Sequence, residues 1–183
     1  GGPDETIIDA AGLERVFQIF GGVVAEFTGL TITGGSAVGS EDGGGIRSAG
    51  DLKLVDVVVD GNTAEDSGGG INADGSLSME RVTISNNTSG GDVGGVRNVG
   101  DLTNYNGTNS NDTNGLDGGR QVNITLGNAA TDNTALSNKT AVREGGGVHN
   151  EAVISLVDTT VTANSVENYG GGVSNSGVVS VQN

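Results

Sequence analysis

Cysteine and tryptophan are absent from the 183 residues, and three Phe and two Tyr make up the whole aromatic complement. Neither a disulfide nor a thiolate metal centre can form, so backbone hydrogen bonds and side-chain ladders must hold the chain together. So few aromatics cannot fill an ordinary globular core, which leaves a thin and repetitive one. Positive charge is scarce too: eight Lys and Arg face 23 Asp and Glu, a formal net charge of −15. Such a surface repels nucleic acid and anionic lipid headgroups, which excludes polyanionic partners. The same charge suits a secreted, soluble surface, divalent cations or life in salt. No apolar run reaches the roughly 18 residues of a membrane span. No charged, apolar, small-residue leader opens the chain either, so a mature or trimmed product is expected.

What is present is glycine, 35 residues of it, and a hydrophobic third made of Val, Ile, Leu and Ala at short alternating intervals, which argues against disorder. The glycines mark a repeat. Gly43-Gly44-Gly45-Ile46 recurs as Gly68-Gly69-Gly70-Ile71, then as Gly94-Gly95-Val96, Gly145-Gly146-Gly147-Val148 and Gly170-Gly171-Gly172-Val173. Ile46, Ile71 and Val96 lie 25 apart, as do Val148 and Val173; the interval from Val96 to Val148 is 52, two repeats with two inserted residues. No Gly-Lys-Ser follows the triplets, so they are read as tight turns with positive φ and not as a phosphate cradle.

Within a repeat, Leu52, Leu54, Val57, Val59 and Asn62 match Leu77, Met79, Val82, Ile84 and Asn87, and again Ile154, Leu156, Thr159, Val161 and Asn164. These are short period-2 strands. The skip of three from Leu54 to Val57 marks a corner, and Gly50 and Gly75 mark another. Each repeat is therefore expected to hold three short strands and three turns. Strands this short satisfy their backbone groups by stacking on the next repeat at about 4.8 Å. The expected fold is all-β, a right-handed parallel β-helix (β-solenoid) forming one domain over residues 1–183, with roughly seven to eight rungs counting partial ones.

Asn62, Asn87 and Asn164 share one position in the repeat, and Asn98, Asn150 and Asn175 share another; stacked amides at such positions form ladders inside corners. The pattern weakens over residues 104–144, where Asn104 and Asn109 replace aliphatic residues. This irregular rung is expected to leave the rod as a loop from Asn104 to Gly115, with Val122, Ile124 and Leu126 resuming a strand. Asp112, Asn114 and Asp117 there form a candidate calcium site, without the bidentate Glu of a known calcium loop; a solvated polar loop is the alternative. Calcium is the one cofactor this chemistry admits. Asp42, Asp66, Asp92, Asp117, Glu144 and Glu167 precede the glycine triplets and would stack as a carboxylate column, either solvated or bridged by divalent cations.

Polysaccharide lyases and glycosidases use solenoids, but hydrolysis needs two carboxylates facing across the substrate, and no clustered Asp-Asp pair, Gly-His or Arg-x-Lys segment is found. The sole histidine, His149, occupies the column of Arg47, Asn72, Arg97 and Ser174, a surface position, so no catalytic residue is assigned. Glycosylation sequons fall at Asn86, Asn87, Asn106, Asn111, Asn123 and Asn138.

The motif Gly-Gly-Gly-[Ile/Val]-x-x-x-Gly-x-Leu-x-Leu followed by Val-x-[Val/Ile]-x-x-Asn resembles the β-helical repeats of polymorphic outer membrane proteins and related bacterial or archaeal surface proteins. The likeness covers Gly21 to Asn183 and is degenerate between Tyr105 and Glu144. It implies a pectate-lyase-like helix in an adhesin, an autotransporter passenger or a surface filament, without catalytic residues. The chain closes on Val178-Val179-Ser180-Val181-Gln182-Asn183 with no capping helix in view, and solenoid ends need cover. The expected function is an extracellular structural subunit that stacks head to tail as a homopolymer on or near the cell surface. The alternatives are a fragment of a longer adhesin with a glycan or host-surface ligand, and a polysaccharide-acting enzyme.

Overall fold

Short aliphatic–polar alternations punctuated by glycine cannot bury both faces alone, and they solve this by lying edge to edge with the same segment one repeat away. The computed structural model describes residues 2–39, 41–91, 93–110, 112–114, 124–125, 129–132, 135–137, 140–141, 148–150, 153–166 and 170–183. These residues form a parallel β-solenoid of 27 strands without a helix.

Ile7–Asp9 (β1) comes first, followed by a turn of Phe17–Ile19 (β2), Val24–Thr28 (β3), Thr31–Thr33 (β4) and Ser36–Ala37 (β5). The next turns are Ile46–Ser48 (β6), Asp51–Val55 (β7), Val58–Asp60 (β8), Thr63–Ala64 (β9), then Ile71–Ala73 (β10), Leu77–Glu80 (β11), Thr83–Ser85 (β12), Thr88–Ser89 (β13). Val96–Asn98 (β14), Leu102–Tyr105 (β15), Thr108–Ser110 (β16) and Thr113–Asn114 (β17) follow, then Ile124–Thr125 (β18), Ala129–Asp132 (β19), Ala135–Ser137 (β20) and Thr140–Ala141 (β21). Val148–Asn150 (β22), Val153–Val157 (β23), Thr160–Thr162 (β24) and Ser165–Val166 (β25) complete another turn before Val173–Asn175 (β26) and Val178–Gln182 (β27).

Every strand pairs in parallel with its counterpart one turn away. The first sheet runs β1-β4-β8-β12-β16-β20-β24, the second β2-β6-β10-β14-β18-β22-β26, the third from β3 to β27, and the fourth, six strands wide, from β5 to β25. Six successive four-strand turns span β2 to β25, slightly fewer than the seven to eight expected, a number that included partial turns at both ends.

Two expectations are corrected. Each turn has four strands and not three: the two-residue strands such as Thr63–Ala64 are too short to display an alternation and in the sequence are indistinguishable from a turn. The described residues 104–110 and 112–114 also stay in the rod. Met79 pairs with Asn104, Ile84 with Asn109 and Thr88 with Thr113, each 25 residues on. Backbone pairing is indifferent to side-chain polarity, so the ladder survives the loss of aliphatic residues. The two inserted residues fall between Asn114 and Ile124, since the offsets are 27 from Arg97↔Ile124 to Thr113↔Thr140 and return to 25 at Thr125↔Asn150. Ile124 does lie in a strand, as expected; Val122 and Leu126 are outside the described residues.

Inside, the residues stack as columns. Ile32, Val59 and Ile84 form one, Leu52, Leu77 and Leu102 another, and Ile46, Ile71 and Val96 a third, all buried. Within these columns aliphatic side chain lies on aliphatic side chain, which is how a thin core excludes water. The corner predicted between Leu54 and Val57 lies at Asp56, where φ is 52°; Gly29, Arg81, Asn106 and Asp158 take the same left-handed conformation at equivalent corners.

The glycine triplets divide their labour. Gly43 and Gly68 have positive φ, as expected, whereas Gly69 is required by space: a Cβ there would fall on the carbonyl oxygens of Thr88 and Gly94. The turns before β6 and β10 are thus pressed against the fourth sheet.

Candidate functional site

The strongest side-chain feature is a polar column at the corner between the first and fourth sheets, each member preceding a two-residue strand of the fourth. The Gly35 amide donates to Asn62 Oδ1 at 2.9 Å, the Asn62 amide and Nδ2 donate to Asn87 Oδ1 at 3.0 and 3.1 Å, and the Asn87 amide and Nδ2 donate to Asp112 Oδ1 at 2.8 and 3.0 Å. Asn62, Asn87 and Asp112 are all buried. Buried backbone donors at a sharp corner need an acceptor, and a carboxamide one turn on supplies it. Asn164 takes the equivalent corner ahead of Ser165.

The second asparagine column works differently. The register carries Ala73 to Asn98, Thr125, Asn150 and Asn175. Nδ2 of Asn98 donates to the carbonyl of Gly100, and that of Asn175 to the carbonyl of Gly177 at 2.8 Å, so each closes its own corner. Ser48 does the same with its hydroxyl on the Gly50 carbonyl at 2.9 Å, a member that residue type alone concealed.

Of the candidate calcium residues, Asp112 points into the asparagine column; Asn114 lies in β17, and Asp117 is outside the described residues. The sequence signal for its place is the spacing, 25 residues or one repeat after Asn87. Among the described residues no group of three or more acidic or histidine side chains is placed to hold a metal.

Of the carboxylates before the glycine triplets, Asp42 accepts the amide of Ser67 at 2.9 Å, one turn on. The Ser76 hydroxyl donates to Asp51 and the Ser85 hydroxyl to Asp60, both at 2.7 Å and both across 25 residues. Arg81 grips Asp56 with two bonds, Nε to Oδ1 at 2.6 Å and Nη2 to Oδ2 at 2.8 Å. Those bonds, ahead of the opposing effect of desolvation, hold the Asp56 carboxyl below its ordinary range and raise the Arg81 guanidinium further. These acids clip adjacent turns together.

Each cation whose side chain is described has an acidic neighbour. Arg15 pairs with Glu41, Lys53 with Glu26 at 3.0 Å, Arg81 with Asp56 and Glu80, while Asp74 sits between Arg47 at 2.6 Å and Arg97 at 3.8 Å. A shallow groove of about 310 Å³ runs past Asp56, Arg81, Thr83 and the Gly2-Pro3 segment; its carboxylate is the one Arg81 holds. His149 lies in β22 opposite Ser174. Among the sequons, Asn86 is exposed, Asn106 half-buried and Asn87 buried in its column, while Asn111, Asn123 and Asn138 lie outside the described residues.

The exposed apolar surface gathers on the outermost strands. Val179 and Val181 of β27 continue the inward columns of Ile154 and Leu156. Yet the two valines are 40% and 73% exposed, against 1% and 3% for the residues they continue. Residues 170–183 carry no Asp, Glu, Lys or Arg. An exposed sheet edge free of charge and proline lacks the features with which proteins discourage edge pairing. Among the described residues no helix is long and apolar enough to cross a membrane. The chain matches no family model, no curated protein and no solved structure at a significant level.

Proposed function

We propose that this chain is an extracellular structural element, a length of β-solenoid shaft that joins to like turns through its outermost strands and so builds a surface fibre. The observation that carries this is β27: an uncharged edge strand whose inward valines are open to solvent while the columns beneath them are dry. The lateral surface supports the same reading. Its described cations are neutralised in place and its net charge is strongly negative, so neighbouring shafts repel side to side while the uncharged edge offers no such repulsion. Head-to-tail contacts of this heterologous kind extend without closing.

Multi-angle light scattering across a concentration series, with negative-stain microscopy, tests it. Mass growing with concentration and rods of several chain lengths are expected; a monodisperse rod of one chain length at high concentration would overturn the proposal. The glycine-glycine-aliphatic and aliphatic-x-x-Asn motifs favour a second form of the same role, in which the like turns belong to one longer adhesin of the polymorphic outer membrane protein kind. Intact mass spectrometry of the native polypeptide separates the two.

A further inference from the structure

The pairing pattern goes further and names the occupant of the β27 edge. Resting on the shaft reading above, we infer that β27 receives β3 of a second copy of this chain, parallel and without register shift, setting Val24–Thr28 alongside Val178–Gln182.

The third sheet is strictly in register at both of its outer pairs. Val24 to Thr28 align one for one with Asp51 to Val55, and Val153 to Val157 with Val178 to Gln182. Repeating that displacement once more sets Ala25 over Val179 and Phe27 over Val181. Phe27 is already packed, its ring centroid 4.5 Å from that of Phe17, so the surface offered to the valines is preformed. A slip of one residue would turn Glu26 onto the valine columns, and a slip of two would put either Gly29 or the small Ala25 over Val181 in place of Phe27, so the side-chain pattern selects the unshifted register.

The other sheets agree. Around a turn the chain visits the second, third, first and fourth sheets in order, as in β6 to β9. The outermost strands on one face are β24 to β27, on the other β1, β2, β3 and β5. When β3 is set on β27, β2 falls on β26 and β1 on β24, so three sheets continue across the joint together, all parallel. The step left by β27 on one face matches the step presented by β1 on the other. Charge agrees as well: each copy carries −15, yet the acids beside the joint meet no carboxylate, Glu26 falling beside Ser180 of the uncharged 170–183 segment and Asp9 beside Thr162 of β24.

Absence of cysteine makes the test direct. Position 26 and position 180 are exposed and point outward. In the inferred joint they are direct neighbours at about 4.8 Å, inside the Cα range of roughly 4.4 to 6.8 Å that a disulfide spans. A chain carrying both Glu26→Cys and Ser180→Cys, treated with diamide, is expected to give a ladder of covalent multimers that a reductant collapses. Glu26→Cys combined with Val178→Cys, displaced by two residues to roughly 8 Å, is expected to link at least about tenfold more slowly. Mixing the two single variants, Glu26→Cys and Ser180→Cys, should yield covalent dimers and nothing larger. If the unmodified chain associates but the 26–180 pair fails to link, or links no faster than the 26–178 pair, the register inference is overturned and the shaft reading stands. If the unmodified chain does not associate, the shaft reading itself has failed.

Discussion

Replacing Asn87 by alanine isolates what the polar column contributes. Its Oδ1 accepts two bonds, from the Asn62 amide at 3.0 Å and Asn62 Nδ2 at 3.1 Å, and its Nδ2 donates two, to the Val59 carbonyl and Asp112 Oδ1, both at 3.0 Å. Truncation strands the Asn62 amide in a buried corner at about 1–3 kcal/mol, and the other lost bonds add about 0.5–1.5 kcal/mol each. Because Asn62 Nδ2 keeps the carbonyls of Ile32 and Asp60, the sum is held to about 3–5 kcal/mol. The comparison is its neighbour Asn86, exposed and at φ 55°, which makes one side-chain bond, to Asp60 at 2.6 Å. Asn86→Gly keeps the left-handed corner and should stay within about 0.5 kcal/mol of the native chain. Urea titrations followed by far-ultraviolet circular dichroism give both values. An N87A loss under about 1 kcal/mol, or one no larger than that of N86G, would refute the argument that the column organises the corner.

Three further outcomes follow from the same structure. Asn104→Leu should raise the melting temperature, by about 1–2 kcal/mol of added stability, because Asn104 is 3% exposed and its Oδ1 has no hydrogen-bond partner beside the Met79 column. Gly69→Ala should cost about 3 kcal/mol or more by thermal unfolding, since its Cβ would strike backbone carbonyls, whereas Gly61→Asn, at φ 65° and in the corner where Asn86 and Ala163 also sit left-handed, should cost under about 1 kcal/mol. The Asp56 carboxyl is lowered in the folded chain, so the Arg81 pair stabilises above the ordinary carboxylate range, and that contribution is lost as pH falls below it through the folded value. Asp56→Asn should therefore flatten acid unfolding over that window relative to the native chain, with the difference shrinking at high salt; identical acid profiles for both chains would count against the pair.

What was legible in the sequence depended on periodicity. Ile46, Ile71 and Val96 announce the repeat because an aliphatic residue recurring at a fixed interval leaves few other folds, and the structure places them in one buried column. Asp112 departs from its expected place for the opposite reason. Its chemistry, an acid among Asn, Thr and Gly, outweighed its position one repeat beyond Asn87, yet position decides which way a side chain points in a register-locked stack. Asn104 tells the same story: a polar residue at a core position suggested a loop, but the backbone ladder carried it inward regardless. The two-residue strands of the fourth sheet were hidden because Thr63–Ala64 and Thr88–Ser89 are too short to show any period. The clips Asp42–Ser67, Asp51–Ser76 and Asp60–Ser85 could have been read from Asp and Ser recurring 25 apart.

The constant 25-residue offset through β6 to β17 makes rod length a counting variable. Excising one whole repeat from this region, from Gly68 to Asp92, joins Ser67 to Val93 and brings Ile46 beside Val96, Leu52 beside Leu102 and Asn62 beside Asp112, so every column closes over the gap with partners of the kind it already had. Cutting out a number of residues that is not a whole multiple of 25 would misalign all four walls at once. A gene for such a rod can shorten or lengthen it in whole steps by unequal recombination, adjusting reach without redesigning a single contact.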